Sequence, residues 1–360
     1  MAESAINLFK LFLLIFITSF NNVTPTINPV QTLWESPEDH KLLPVVDFEE
    51  YWKGPENLGQ IAGVAVDLSG KPVVFHRASR IWSYNTFDDR NVYQQQYMGP
   101  IMENTVITLD PIFGKVLHGW GNQTFYLPHG IHIDLFGNVW LTDVALHQVF
   151  KYSSSGVLQL VLGRQFEPGN DLDHFCQPTS VAVASTGQIV VADGYCNNRI
   201  VLFDSQGNPK FTVGEQLNLV VPHAVTILLD QEVCVADREN SRIVCMNVGL
   251  PGSEFSSEYP YAIEDPLFGR MFGIASYGDI IYAVTGKTPY KINAGFTINS
   301  KTRKIISSWG PVLDTPFSNP HAIAVSPDGN TVYVSEIGPN KLWKFARIQK
   351  LSKGSENSIY

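Results

Sequence analysis

The residues best suited to chemistry in this sequence are three histidines, each preceded by a proline. They are His129, His223 and His321. Three imidazoles around one point are the ligand set of a catalytic zinc site, which keeps a fourth position open, whereas structural zinc sites are usually closed by four ligands. The alternative is that histidine is merely tolerated after a proline that leads into a strand. Three such dipeptides among only nine histidines favour the metal site.

The three dipeptides begin equivalent units of an internal repeat, each made of a strand-like run, a turn and a second strand. The runs read GIHIDLFGNVWLTD, AVTILLDQEVCVAD and AIAVSPDGNTVYVSE. A fourth unit begins at Pro178-Thr179, and two more begin near Ile61 and Met271. Units of roughly 45 to 65 residues with alternating apolar strands and Gly/Asp turns indicate a propeller or another repeat array.

Six units predict an all-β fold, a six-bladed β-propeller whose innermost strands line a central channel. The histidines then fall in the second, fourth and sixth blades. Alternate blades of a closed six-fold ring are about 120° apart. Equivalent positions in them would bring the three imidazoles to one level around the axis, which is the geometry that the zinc site needs.

The composition is that of a globular protein with a large core. The chain has 360 residues, of which 44% are hydrophobic and 12% aromatic. The repeat favours one domain over two or three ordinary ones. The net charge of −9 argues against binding to nucleic acid, because that function favours a basic face.

The N-terminus carries a short apolar run, LFLLIFITSF, directly after Lys10. The run is too short to cross a bilayer of about 30 Å and suits the apolar region of a secretory signal peptide. We predict a signal peptide at 1–24, a lead-in segment at 25–58, the propeller at 59–346 and a polar tail at 347–360. An uncleaved signal anchor is the alternative.

Other features agree with the secretory pathway, with secretion or the lumen of secretory granules as the destination. No later segment approaches transmembrane length, so no membrane span is expected. Asn22 and Asn122 begin glycosylation sequons, of which Asn122 is the candidate in the mature chain. The four cysteines form an even set, which suits an oxidising compartment. Of three possible connectivities we favour Cys176–Cys196 and Cys234–Cys245, since each pair lies within one repeat.

An acidic position recurs at the end of the second strand of four units, and we expect it to accept backbone N–H groups in the turns. Its members are Asp143, Asp193, Asp237 and Glu336. Arg77 and Arg238 share the next repeat position, and Tyr195 follows Asp193 closely, so their loops should open on one face of the ring. We expect His147 to be a hydrogen-bonded structural histidine.

These motifs resemble the peptidyl-α-hydroxyglycine α-amidating lyase family. The resemblance rests on LPHGIHID, VWLTDVALHQVFKY, LGRQFEPG, HFCQPTSVAV, ADGYCNNRIV and CVADRENSRIVC, and extends from about Gly59 to Phe345. It implies a six-bladed propeller of NHL-like repeats with the two disulfides favoured above. It also implies cleavage of the N–C bond of a peptidyl-α-hydroxyglycine, which gives a C-terminally amidated peptide and glyoxylate.

Carried across residue by residue, the resemblance implies that His129, His223 and His321 are the zinc ligands. The catalytic tyrosine corresponds to Tyr195, and the two arginines of the active site correspond to Arg77 and Arg238. An unperturbed tyrosine is mostly protonated at neutral pH, so a phenolate acting as general base would depend on zinc and a nearby arginine. The two guanidinium groups are suited to the substrate carboxylate and to developing negative charge.

The family's structural calcium is the point at which this chain departs from the pattern. Backbone carbonyls corresponding to Val64 and Ile131 are expected to hold calcium together with an aspartate directly after the third zinc histidine. Here that residue is Ala322. Alanine offers no side-chain oxygen, and calcium normally takes six to eight oxygen ligands, so the sequence leaves calcium binding open.

Two other functions are compatible with a propeller of this kind. The first is a secreted, non-catalytic or weakly active binding protein that keeps the zinc site, because a fold alone does not fix function. The second is a zinc-dependent hydrolase, which would need a base beside a metal-bound water, and no such base is identifiable from spacing. The joint presence of Tyr195, both arginines and all three histidines favours the lyase. We expect it to act as a monomer on substrates from a separate copper monooxygenase.

Overall fold

The computed structural model describes residues 42–253, 259–286, 294–311 and 316–351. The predicted signal peptide at 1–24, the Asn22 sequon, residues 25–41 of the lead-in and residues 352–360 of the predicted tail lie outside these ranges. The described chain forms 24 strands, β1 to β24, in six four-stranded antiparallel sheets. The prediction of an all-β, six-bladed propeller is confirmed.

Sheets I to III each contain four consecutive strands. Sheet I comprises β2 (Ile61–Val66), β3 (Pro72–His76), β4 (Val106–Leu109) and β5 (Val116–Trp120). Sheet II comprises β6 (Pro128–Ile133), β7 (Val139–Asp143), β8 (Gln148–Tyr152) and β9 (Leu158–Leu162). Sheet III comprises β10 (Ser180–Val183), β11 (Ile189–Asp193), β12 (Arg199–Phe203) and β13 (Pro209–Val213).

Sheets IV to VI complete the ring. Sheet IV comprises β14 (Pro222–Ile227), β15 (Val233–Asp237), β16 (Arg242–Met246) and β17 (Tyr261–Ile263). Sheet V comprises β18 (Met271–Tyr277), β19 (Ile280–Thr285), β20 (Ala294–Asn299) and β21 (Lys304–Trp309). Sheet VI comprises β22 (Pro320–Val325), β23 (Thr331–Glu336), β24 (Leu342–Leu351) and, from the other end of the chain, β1 (Leu42–Phe48).

The sheets stand around a channel, because the first strand of each sheet contacts the first strand of the next and β22 contacts β2. Six apolar clusters fill the spaces between neighbouring sheets. The second strands are buried on both faces, as in the wholly buried runs VWLTD and VCVAD. Burial of these β-branched and aliphatic runs between two sheets explains why they are continuous rather than alternating in polarity.

The ring is closed by strands from opposite ends of the described chain. β1 pairs antiparallel with β24 from Leu42↔Leu351 to Phe48↔Phe345. The predicted boundaries at 59 and 346 therefore need correction, since part of the assigned lead-in and the start of the assigned tail belong to sheet VI. The physical reason is that β1 covers the edge of β24, which would otherwise leave backbone groups unpaired.

Four buried acidic side chains fix the loops that lead into the first strands. Asp143 accepts backbone N–H groups of Tyr126 and Leu127, and Glu336 accepts those of Ser318 and Asn319. Asp193 and Asp237 act in the same way on Cys176 and Val220. The expected structural role of this repeated position is confirmed, and its effect is to hold the start of each first strand in place.

Both predicted disulfides are present. Cys234 and Cys245 lie directly opposite each other on β15 and β16. Cys176–Cys196 ties the segment before β10 to the loop after β11. Within the described ranges the helices are two single turns, Gln96–Met98 and Glu215–Leu217, and none there is long and apolar enough to span a membrane.

Candidate functional site

The three proline-linked histidines meet in the channel. His129, His223 and His321 lie at the starts of β6, β14 and β22, and each is only 2–3% exposed. Their ring centroids are 4.8–4.9 Å apart, which makes a nearly equilateral triangle. One ligand atom from each lies within 4.8 Å of the others. The structure thus brings together the set that the sequence predicted as a metal site.

A break in strand pairing turns these histidines toward the channel. Pro222 pairs with Asp237, but the register shifts before Ala224 pairs with Ala236, and this leaves His223 out of the ladder. The same shift occurs around His129 and His321. A β-bulge re-aims the side chain of the extra residue, so the repeat builds the site with backbone geometry as well as with histidine.

Each histidine is oriented by a backbone carbonyl from the next sheet. Nδ1 of His129 lies 2.7 Å from the carbonyl oxygen of Thr179. Nδ1 of His223 lies 2.6 Å from that of Phe272, and Nδ1 of His321 lies 2.6 Å from that of Ala62. A carbonyl can only accept, so each Nδ1 carries the proton and donates it. This tautomer leaves the Nε2 lone pair free, as a metal-ligating histidine requires.

The electrostatic surroundings keep the three rings neutral. Burial is the main cause that lowers the pKa of His129 and His223 well below the usual histidine range. Burial, with Arg77 and Arg238 as further causes, lowers the pKa of His321 to about 3. Neutral imidazoles with free Nε2 lone pairs are the form in which histidine binds a metal ion.

Tyr195 reaches the triad from the loop after β11. Its hydroxyl oxygen lies 2.9 Å from Nε2 of His129 and 3.0 Å from Nε2 of His223. Burial raises the pKa of Tyr195, whereas the charges of Arg238 and Arg77 act to lower it. Gly194 permits the close approach of this loop, because a Cβ there would lie 2.0 Å from the carbonyl oxygen of Pro222.

Arg238 lies against the ring of Tyr195. Its guanidinium carbon is 5.2 Å from the ring centroid of Tyr195 and 5.3 Å from that of Phe272, which are cation–π distances. Its Nε donates to Oε1 of Glu239 at 2.8 Å. The carboxylate of Glu239 thereby holds the guanidinium group over the tyrosine ring.

Arg77 is a buried cation at the same end of the channel. Its Nε donates to the carbonyl oxygen of Pro128 at 2.8 Å and its Nη1 donates to Oε1 of Gln60 at 3.0 Å. Among the described residues no carboxylate lies within ion-pair distance of it. Burial lowers its pKa, and Tyr195 and Asp143 oppose that shift. A buried, unpaired cation is costly, so this position is suited to binding an anion.

Several functional contacts could not be predicted from side-chain types. The carbonyls of Thr179, Phe272 and Ala62 carry no side-chain signal, although each residue occupies the repeat position of a histidine in the adjacent sheet. That shared position was the available signal. The contact of Glu239 with Arg238 could not be predicted, because both residues lie in a loop whose path has no repeat signal. His147, by contrast, fits its expected structural role, since its Nδ1 accepts the Gln177 N–H at 3.0 Å.

The positions implied for calcium lie around the channel, in a cavity of about 200 Å³ lined by the first strands of all six sheets. Val64, Ile131 and Ala322 are part of this lining. The lining contains no aspartate or glutamate in the described part of the chain. The donor set therefore does not fit a calcium ion, which favours carboxylate ligands.

Comparisons with known proteins agree with this site. The NHL repeat model matches residues 175–203. Peptidyl-alpha-hydroxyglycine alpha-amidating lyase 2 of Drosophila melanogaster is 46% identical over 84% of this chain and 76% of its own. The chain belongs to the peptidyl-α-hydroxyglycine α-amidating lyase family.

Two further similarities are to a longer protein and to a solved structure that shares only the fold. The peptidylglycine alpha-amidating monooxygenase of Rattus norvegicus is 42% identical over 86% of this chain, which spans 33% of that longer protein. A chain in the solved nidogen/laminin complex aligns with a TM-score of 0.54 and 17% identity, covering 73% of this chain and 84% of that one. The second similarity reflects the propeller fold alone.

Proposed function

We propose that the protein is a zinc-dependent lyase that cleaves peptidyl-α-hydroxyglycine into a C-terminally amidated peptide and glyoxylate. The observation that carries this proposal is the position of the Tyr195 hydroxyl within 3.0 Å of two histidine Nε2 atoms, with Arg238 against its ring. Membership of the amidating lyase family supports the same reaction. The substrate is a carbinolamide with a free carboxylate, and each part of it has a partner in the site.

His129, His223 and His321 would hold the zinc ion through their Nε2 atoms. When bound, zinc supplies positive charge that lowers the pKa of a hydroxyl group. The chain orients these ligands itself, because the three carbonyl acceptors fix the rings and the proton on each Nδ1. Outer contacts of this kind position metal ligands and tune their basicity.

Tyr195 is the proposed general base. Cleavage requires that the substrate hydroxyl lose its proton while the C–N bond breaks, the hydroxyl carbon becomes the aldehyde of glyoxylate, and the amide nitrogen gains a proton. Burial raises the pKa of Tyr195, and the charges of Arg238 and Arg77 oppose that shift. The positive charge of bound zinc would act in the same direction as the arginines and favour the phenolate form. In that form the phenolate accepts the hydroxyl proton, and the resulting phenol donates a proton to the leaving amide nitrogen.

Arg77 and Arg238 are the proposed binding groups for the substrate carboxylate and for negative charge that develops on glyoxylate. Arg77 is suited to this role because it is buried without a carboxylate partner in the described chain. Guanidinium groups form strong, directional hydrogen bonds to carboxylates. Placing the carboxylate there orients the hydroxyl toward Tyr195.

We propose that calcium does not occupy the channel of this protein. Ala322 replaces the acidic ligand expected from the family, and its methyl group packs against an apolar cluster between sheets I and VI. The carbonyls of Val64 and Ile131 alone provide too few oxygens for the usual calcium shell.

We also propose that the protein is a monomer of the secretory pathway, secreted or lumenal, whose substrate comes from a separate copper monooxygenase. The two disulfides support an oxidising compartment. Asn122 is exposed in a turn and is the proposed glycosylation site. Similarity to the rat peptidylglycine alpha-amidating monooxygenase supports a place for this chain in the same reaction sequence.

The proposed function is tested by incubating purified protein with α-hydroxyhippurate or a peptidyl-α-hydroxyglycine and measuring glyoxylate with and without a chelator. We expect glyoxylate from the untreated protein and a large loss after chelation. A matched control is His118→Ala, which removes an exposed histidine of β5 far from the triad and should leave the rate unchanged. Zinc-loaded protein that forms no glyoxylate would instead support a non-catalytic binding propeller.

A further inference from the structure

A long loop of sheet I reaches the site, and beyond its first residue, Arg77, none of its residues belongs to the proposed catalytic groups. The loop runs between β3 and β4, from Arg77 to Thr105. β3 ends at the same face of the ring as β11, the strand that precedes Tyr195, because the second strands of all sheets run in the same direction. The loop therefore opens on the face where the histidines, Tyr195 and Arg238 lie.

The loop is held in a defined conformation by buried polar contacts. Arg80, only 6% exposed, donates from Nη1 to the hydroxyl of Tyr93 at 3.2 Å and from Nη2 to the carbonyl oxygen of Gly99 at 2.9 Å. Phe87 and Tyr93 form an isolated β-bridge. Trp82 packs on Phe87 at a centroid distance of 5.2 Å. The indole of Trp82 is thus fixed by its neighbours.

Trp82 borders the mouth of the site, by which we mean the end of the channel where Tyr195 and Arg77 lie. Its ring contacts the Tyr195 ring edge to face, with centroids 4.8 Å apart, and the Arg77 guanidinium carbon lies 5.8 Å from its centroid. Its side chain is only half-buried. Phe272, also half-buried, flanks Arg238 on the opposite side. The groups that would bind the hydroxyglycine are therefore bordered by partly exposed aromatic surface.

We propose that Trp82 contacts the side chain of the residue that precedes the hydroxyglycine and gives the enzyme a preference for an aromatic or large apolar residue there. This inference rests on the proposed function. If Arg77 and Arg238 bind the carboxylate and Tyr195 meets the hydroxyl, the preceding residue must leave the site past its mouth. Trp82 touches both Tyr195 and Arg77, so it borders that path.

The chemistry of the mouth also predicts which residues are disfavoured. An aromatic or aliphatic side chain gains by covering the exposed part of the indole, and aromatic pairs add to that gain. A lysine or arginine at the same position would approach Arg77, Arg238 and the half-exposed Arg270, whose guanidinium lies near Phe272. The expected order is therefore aromatic, then small, then basic.

The test compares acetyl-phenylalanyl-α-hydroxyglycine with acetyl-alanyl-α-hydroxyglycine by glyoxylate release. We expect kcat/KM for the phenylalanyl substrate to exceed that for the alanyl substrate by on the order of tenfold in the unmodified enzyme. In Trp82→Ala the ratio of the two kcat/KM values should fall close to one. In Trp82→Phe the preference for the phenylalanyl substrate should largely remain. Tyr84→Ala, which removes a 98% exposed aromatic of the same loop, should leave the ratio unchanged.

Equal losses for both substrates in Trp82→Ala and Trp82→Phe would overturn the inference and indicate a structural role. An unmodified enzyme with no preference would overturn it as well. Failure of the proposed function is distinguished by calorimetric binding of the uncleavable acetyl-phenylalanyl-glycine and acetyl-alanyl-glycine. We expect the same Trp82-dependent ratio in Kd whether or not glyoxylate is formed, and equal Kd values would refute the contact independently of turnover.

Discussion

The even-numbered and odd-numbered sheets use the same repeat position in opposite ways. In sheets II, IV and VI that position holds a histidine whose side chain points into the channel. In sheets I, III and V it holds Ala62, Thr179 and Phe272, whose backbone oxygens accept the Nδ1 protons of those histidines. The even sheets contribute side chains to the histidine triad, and the odd sheets contribute the backbone carbonyls that orient it.

This difference shows how six equivalent sheets can build a site of lower symmetry while the backbone repeat stays regular. Six histidines at one level would crowd the channel, whereas three histidines and three carbonyls form alternating donors and acceptors. Residue identity is therefore constrained in the even sheets. In the odd sheets many residue types can supply the same carbonyl, and Phe272 adds a ring contact with Arg238.

Replacing a histidine of the even sheets should have the largest effect. We expect His129→Ala, His223→Ala or His321→Ala to lose zinc and to lose more turnover than the roughly 10–100-fold typical of an outer-shell partner. Zinc content by mass spectrometry and glyoxylate release are the measurements. Full zinc occupancy in all three variants would remove the histidine triad from the account.

Tyr195→Phe should have the next largest effect, because it removes only the phenolic oxygen that lies between two of the even-sheet histidines. Zinc content and melting temperature should be retained, while kcat falls by at least about a hundredfold, as for a lost general base. Near-normal turnover in this variant would exclude Tyr195 as the base.

Ala322→Asp tests the channel just beyond the triad. The unmodified protein should show a melting temperature almost indifferent to millimolar calcium. The variant restores a carboxylate beside the carbonyls of Val64 and Ile131 and should gain calcium-dependent stability. A ligand that binds only the native state contributes about 2.7 kcal/mol at a hundredfold excess over Kd. A clear rise in melting temperature for the unmodified protein would mean that other groups complete a calcium shell.

Thr179→Val in odd sheet III should have the smallest effect and is the matched counterpart of the histidine variants. It keeps the carbonyl that orients His129, but it removes a hydroxyl that donates to Ala192 and Pro222. We expect unchanged zinc content and a loss of roughly 1 kcal/mol in the free energy of unfolding. Zinc loss comparable to that of His129→Ala would contradict the division between side chain and backbone.

Much of the fold was predictable because its signals repeat. The alternating runs and turns predicted six sheets, and the cysteine spacing predicted both disulfides. The strand Leu42–Phe48 was missed because a single run gives no repeat signal, and its role in closing sheet VI depends on pairing with a strand about 300 residues away. The alternation of His129 and its equivalents predicted a shared level in the channel.

The remaining parts of the site depend on contacts that residue types do not encode. The Thr179 oxygen acts through the backbone, and Trp82, which packs on Phe87, reaches Tyr195 from a long loop. Both contacts join distant segments of the chain. A long loop with Gly, Asn and Asp residues gives no periodic signal from which its path could be predicted.

The central claim is that three even-sheet histidines hold one zinc ion on which lyase turnover depends. The most direct test is to strip the protein with a chelator and return zinc stepwise while the initial rate of glyoxylate release is recorded. We predict a negligible rate without zinc and a linear recovery that ends at one equivalent per chain. Full turnover by the zinc-free protein, or recovery unrelated to the amount of zinc bound, would contradict the account.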